Sequence, residues 1–214
     1  MPSPRRSKAL PGTSQRAFAS FDRLRAYLTA RATLTSAELE FAQGLFASRH
    51  LRKGEFLQQA GEPPRQMAFV ASGCLRSYVI DHKGKVHTVG FAPEDWWVSD
   101  SVRYLGGEQG TLFIDAIEAS DLLLIDHESH GHIMNAVPAL AAAYQAALQR
   151  LAAARDKRII SSLSGSAQER YLDFTERYPT LLRRVPLRML ASYLGMSPET
   201  LSRIRRKLAT GAIS

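Results

Sequence analysis

A single cysteine, Cys74, occurs in the 214 residues. That excludes an intramolecular disulfide and any zinc or iron–sulfur site built from four cysteines of one chain. Long apolar runs are missing too. No stretch approaches the ~20 consecutive apolar residues that span a bilayer, and the N-terminus lacks the apolar core of a secretory signal. The reading is a cytoplasmic protein with no membrane partner. Acidic residues are scarce beside basic ones, 20 against 28, which gives a formal net charge of +8. A balance of that sign favours polyanions, because cations that neutralise phosphates release condensed counterions. Catalytic signatures are lacking as well: there is no nucleophile elbow, no phosphate loop and no His-Glu-x-x-His helix, so an enzyme is not expected.

What is present is an ordinary globular composition, 45 % hydrophobic and 22 % charged, in a chain long enough for two cored domains. Residues 1–16 mix proline, glycine, serine and basic side chains without apolar periodicity and read as a disordered tail. Apolar residues then fall at helical spacing from Phe18 to Ser48, with Thr35 and Glu38 in capping-box register at a new helix start. From about His50 to Asp126 the texture turns to short β-rich runs, Met67–Ala71, Leu75–Ile80, Val86–Phe91 and Leu112–Ile117. Asp81-His82-Lys83-Gly84 supplies a tight hairpin between two of them, and a meander or roll follows.

After Pro138 the pattern is helical again. Val137, Leu140, Tyr144, Ala147, Leu151 and Ala154 alternate three and four residues apart, the heptad spacing of a two-helix seam. A symmetric homodimer is the expectation, since the stripe runs further than one small β domain would cover. Ser162 to Ser166 breaks this helix as a hinge, and Ser166 with Glu169 makes a second capping box ahead of Tyr171, Leu172, Phe174 and Tyr178.

The informative segment is Val185 to Ala209. Leu187, Leu190, Ala191 and Leu194 form an apolar stripe, Gly195 suits a left-handed position, and Met196 plugs the angle. Ser197 can cap, Pro198 fits a first helical turn, and Leu201, Ile204 and Leu208 give a buried face. That phasing turns Glu199, Ser202, Arg203 and Arg206 outward, with Thr200 and Lys207 near the edges. Arginine can donate two hydrogen bonds to guanine, glutamate can accept from cytosine N4, and the helix N-terminus with Ser197 can hold a phosphate. From Arg183 to Lys207 seven cations (Arg183, Arg184, Arg188, Arg203, Arg205, Arg206, Lys207) stand against Glu199 alone, a local balance of +6. The expected DNA-binding residues are Arg188, Ser197, Glu199, Thr200, Ser202, Arg203, Arg206 and Lys207.

From Leu190 to Arg203, the run Leu-Ala-Ser-Tyr-Leu-Gly-Met-Ser-Pro-Glu-Thr-Leu-Ser-Arg resembles the Crp/Fnr family of regulators. Ala167-Gln168-Glu169-Arg170-Tyr171, Leu51-Arg52-Lys53-Gly54-Glu55 and the order of parts support the likeness. It implies an α+β chain with an N-terminal β-roll sensor (a double-stranded β-helix, cyclic-nucleotide-binding-like) at 17–136 and a long dimerisation helix at 137–163. A C-terminal winged helix-turn-helix at 164–214 completes it. The implied function is a sequence-specific transcription regulator acting on double-stranded DNA, with RNA polymerase as a candidate partner. Glu199 and Arg203 fall at base-reading positions, and Pro198 replaces a residue that is often arginine.

The same likeness points to an effector pocket around Trp96, Trp97, Asp100, Arg103 and Thr111, with Asp100 standing in for a ribose-binding glutamate. No arginine lies where a cyclic phosphate needs one, and Gly110 takes that place. A buried phosphate without a cation is poorly compensated, so cyclic AMP binding of the usual kind is not expected and the effector is unknown. His127, His130 and His132 match no zinc spacing and read as a polar connecting turn. Neither a metal nor a cofactor is expected. The rival reading is a cupin-like barrel that binds a small ligand or metal and has no DNA-binding role.

Overall fold

Why β-rich runs of this chain close into a roll is visible in two strands that are apolar on both faces. The computed structural model describes residues 11–100 and 109–210, with side chains from residue 15 onward. Eight strands are described: β1 Ala47–Leu51, β2 Phe56–Gln58, β3 Gln66–Ser72, β4 Leu75–Ile80, β5 Val86–Ala92, β6 Trp97–Val98, β7 Phe113–Ala116 and β8 Ser120–Asp126. They form two four-stranded sheets in the orders β1-β8-β3-β6 and β2-β7-β4-β5, all pairs antiparallel. Ala68 and Val70 of β3, with Leu122 and Leu124 of β8, join Leu75 and Ile114 inside the roll. The alternate residues Met67, Phe69 and Ala71, with Leu123 and Ile125, pack outward under helices. A period of two with both faces covered explains the unbroken apolar runs.

The helices that cover this sheet are α1 Pro11–Thr29, α2 Ser36–Gly44 and α3 His127–Ala136. Leu24 and Leu28 of α1, Leu39 and Ala42 of α2 and Ile133 of α3 close over Phe69 and Leu123. Thr35 and Glu38 make the expected capping box on α2. Two expectations are corrected here. Helix α1 begins at Pro11, inside the stretch 1–16 read as tail; a proline at a first helical position costs no hydrogen bond. The histidines lie on a helix rather than a connecting turn: Asp126 caps α3 by accepting from the Ser129 amide at 2.7 Å. His130 is buried there against the Tyr144 ring, 4.7 Å between centroids. Burial, and then the charge of His127, hold its pKa below the usual histidine value. Among the described residues no group of three or more His, Cys, Asp or Glu could hold a metal.

Helix α4, Pro138–Ser164, runs 27 residues, about 40 Å at 1.5 Å per residue. Leu140 alone is buried along it, while Leu151 is 38 % exposed and Leu163 83 %. Continuing the three-and-four alternation past Ala154 reaches Arg158 and Ser161, whereas the exposed Ile159, Ile160 and Leu163 stand on other faces. Gly165 ends the helix, and Ser166 opens α5, Ala167–Arg177, with its capping box to Glu169. A 3₁₀ turn at Leu181–Arg183 leads to α6, Leu187–Leu194, and α7, Pro198–Ala209. Tyr171, Phe174, Leu190, Ala191, Leu194, Leu201 and Ile204 make one core, shared with Cys74, Phe91 and Ile117 of the roll. The expected wing is not seen: among the described residues every strand precedes α3.

Candidate functional site

The turn between α6 and α7 is built from backbone chemistry that the sequence spells out. Gly195 adopts φ 64°, ψ 40°, a left-handed conformation that costs an L-residue ~1–2 kcal/mol. The Met196 amide then donates back to the Ala191 carbonyl at 3.0 Å, and Arg170 Nε of α5 donates to the Leu194 carbonyl at 2.8 Å. Ser197 accepts from the Thr200 amide at 3.2 Å, with Pro198 in the first turn of α7. Leu201 and Ile204 are buried and Leu208 is half-buried. Opposite them Ser197, Glu199, Arg203, Arg205, Arg206 and Lys207 are exposed, with Thr200 and Ser202 half-buried; Arg188 of α6 is exposed beside them.

So the eight residues expected to bind DNA lie on one side of a two-helix unit whose other side is core. Glu199 does not pair with Arg203. Its own amide and the Ser197 hydroxyl, helped by the charge of Arg188, hold its carboxyl below the usual range. The carboxylate therefore caps the N-terminus of α7, the place read from sequence as a phosphate seat.

One of the seven counted cations is not part of this face. Arg184 is half-buried and reaches into the roll, donating to both carboxylate oxygens of Glu94 at 2.9 and 2.8 Å, to Glu118 and to the Gly73 carbonyl at 3.0 Å. Hydrogen bonds to Glu94 and then Glu118 hold its guanidinium firmly charged against the cost of burial. Six cations remain beside Glu199, a balance of +5. Arg184 is a structural residue of the joint, which the sequence reading entered only in the local charge count and not among the DNA-binding residues.

Three further contacts seat the helical unit on the roll. Ser192 of α6 accepts from the Thr88 amide at 2.9 Å and donates to the Val86 carbonyl at 3.1 Å, satisfying the edge strand β5. Trp96 packs on Tyr178 at 5.4 Å between ring centroids. Arg158 donates to the Val89 carbonyl and lies 4.0 Å over the Tyr193 ring. Beneath this joint Cys74 is fully buried, and burial pushes its thiol up to about 12; it is structural rather than reactive.

The residues expected around an effector are not gathered into one pocket. Trp97 packs among Phe69, Tyr27 and Phe46 with centroids 5.2, 6.2 and 6.0 Å away, while Trp96 serves the joint. Asp100 is buried and accepts from the Thr111 amide at 2.8 Å, its hydroxyl at 3.2 Å and the Leu112 amide at 3.3 Å. Arg103 lies outside the described residues. Gly110 exchanges backbone hydrogen bonds with its neighbours, its amide to the Glu62 carbonyl at 2.9 Å and its carbonyl from the Gly61 amide at 2.8 Å. A Cβ at Gly110 would come within 2.4 Å of Gln58 Nε2.

The family model of the cyclic nucleotide-binding domain matches residues 48–136. That match spans β1 to β8 and α3, the roll and the helix that follows it. A search of curated proteins finds no match. Among solved structures, the chain is similar to the catabolite activator protein of Thermus thermophilus, with TM-score 0.54, 22 % identity and coverage of 85 % of this chain and 86 % of that one. It is also similar to the c-di-GMP responsive global regulator CLP of Xanthomonas campestris, at 0.66 and 13 % identity over 83 % and 93 %. FixK2 of Bradyrhizobium japonicum follows at 0.64 and 21 % identity over 78 % and 86 %. These likenesses show the fold: a β-roll followed by helices, the arrangement found here. No helix among the described residues is long and apolar enough to cross a membrane.

Proposed function

We propose that the chain is a dimeric, cytoplasmic transcription regulator of the Crp/Fnr type, in which α6, the Gly195 turn and α7 form a helix-turn-helix that reads double-stranded DNA. The observation that carries this reading is the exposed cationic side of α7. Arg203, Arg205, Arg206 and Lys207 project from a helix whose opposite side is locked into core by Leu201 and Ile204, and a major groove admits one α-helix. Arg203 is the base reader. Arg188, Arg206 and Lys207 serve the phosphates, with Ser197, Thr200 and Ser202 lining the approach. Glu199 orders the N-terminus of α7 and accepts from cytosine where its geometry permits.

The seam of α4 supplies the second copy. Tyr144, Ala147, Leu151 and Ala154 repeat at heptad spacing, and Leu151 is left uncovered by its own chain. Two recognition helices then meet successive major grooves one turn apart, ~34 Å. Similar structures named as an activator and a global regulator support DNA binding without an enzymatic role, and RNA polymerase is the natural further partner.

The sensor does not hold cyclic AMP in the usual way: at Gly110 the space for a side chain is taken by Gln58, and the Gly110 amide is spent on Glu62. Direct binding distinguishes this reading from a cupin-like barrel. Retention on DNA is expected to fall steeply as salt rises, since each phosphate contact adds to the salt slope. Arg203→Ala is expected to cost about 1–3 kcal/mol at one base pair of a specific site, whereas Lys207→Ala weakens all sequences alike and lowers that slope. Equal losses for Arg203→Ala on specific and random duplexes would overturn its role as reader.

A further inference from the structure

Behind the DNA-facing side, where α4, α5 and α6 meet, lies a small half-open cleft with an interior of about 30 Å³. Three arginines line it, Arg158 from α4 and Arg170 and Arg177 from α5, together with Tyr178, Tyr193 and Ser162. The carboxylate in its lining is that of Asp173, and it is already occupied: Lys157 Nζ stands 3.0 Å from it and Arg177 Nη2 3.9 Å.

Arg158 and Arg170 face no carboxylate among the described residues. Arg158 donates to carbonyls, through Nη1 to Val89 and through Nη2 to Thr88 at 3.5 Å and Tyr193 at 3.4 Å. Arg170 likewise uses Nε on the Leu194 carbonyl at 2.8 Å and Nη1 on the Gly165 carbonyl at 2.6 Å. Carbonyl dipoles fix the two planes without neutralising either charge. Each guanidinium has five N–H donors, so Nε of Arg158 and Nη2 of Arg170 are left for another acceptor. The walls are aromatic, which lowers the local dielectric and strengthens any ion pair made there.

We propose that this cleft is an anion site that takes a phosphate group, free or carried by a small phosphomonoester, between Arg158, Arg170 and Arg177. A dianion fits the three cations better than a carboxylate, since oxygens on several faces can each accept a charge-assisted bond. The donors come from α4 and α5, and both fixed arginines also hold α6 carbonyls. Arg158 holds β5 carbonyls in addition. An occupied cleft therefore ties the long helix, the helix-turn-helix and the roll in one relative orientation. The site is independent of whether α7 reads DNA.

The reporter is built in. Trp96 touches Tyr178, a wall of the cleft, so a Trp97→Phe background leaves a single tryptophan beside it. The full chain is titrated with inorganic phosphate, and separately with glycerol phosphate, at constant ionic strength and pH 8. Trp96 fluorescence and ³¹P line broadening are the readouts. A saturable response is expected, weakened at least tenfold by Ser162→Glu, which adds a carboxylate at the exposed rim, and by Arg177→Gln. Arg203→Ala and Lys207→Ala should leave it unchanged. The tighter of the two ligands identifies the source, free anion or ester. A response that sodium chloride reproduces, that survives Ser162→Glu, or that vanishes with Arg203→Ala or Lys207→Ala overturns the proposal, the last outcome placing the anion on α7 instead.

Discussion

Arg184 shows how one side chain changes the meaning of a charge count. Removing it leaves Glu94 and Glu118 half-buried with no cation between them, and breaking such a network by one partner is more costly than its net worth. Arg184→Ala is expected to lower the stability of the joint by about 2 kcal/mol. Thermal unfolding together with proteolysis at the Ser162–Ser166 hinge checks this: cleavage should rise while far-ultraviolet ellipticity stays native. The joint also carries a pH dependence. Burial pushes Glu94 up, but hydrogen bonds and charge from Arg184 leave its pKa below the usual 4.5. Its contribution is thus complete above 4.5 and is lost as pH falls through the lower folded value. Glu94→Gln should flatten that acid limb, which stability measured between pH 3 and pH 6 would reveal.

At the scale of elements, what could be read from sequence was local. Gly195, Ser197 and Pro198 each act within one helical turn, so their order places the ends of α6 and α7 before any tertiary contact is known. Substituting Gly195 by Ala should cost about 1–2 kcal/mol through its positive φ, read as a lowered denaturant midpoint with unchanged slope. Helix α3 was legible in part: Asp126 is a cap, and His130 and Ile133, three residues apart, are its buried side. The joint was not legible. Arg184 and Glu94 stand 90 residues apart, and nothing near either names the other. The separate destinations of Trp96 and Trp97 were equally illegible, because Trp96 meets Tyr178 and Trp97 meets Phe69, Tyr27 and Phe46, all distant in sequence. Val137, Leu140 and Tyr144, the first part of the heptad stripe, pack on the chain's own core, and the proposed dimer leaves the part from Ala147 onward for a second copy. Leu151→Asp should therefore dissociate the dimer in sedimentation without loss of monomer helicity, since that side chain is uncovered within its own chain.

For the whole molecule, the roll, the long helix and the helix-turn-helix make one argument. The roll's edge strand β5 and the Glu94 and Glu118 carboxylates hold the helical unit from one side, α4 is the proposed seam for a second copy, and the cationic side of α7 is left facing solvent. Two such copies related by a twofold axis present two reading helices with inverted polarity. Selection of random duplex DNA by the purified full-length protein at near-physiological salt tests this most directly. The account predicts enrichment of an inverted repeat whose half-site centres lie about one helical turn, 10 base pairs, apart, with Arg203→Ala relaxing the same position in both halves. Recovery of no common sequence, or of a single asymmetric half-site by a protein that sediments as a monomer, would contradict it.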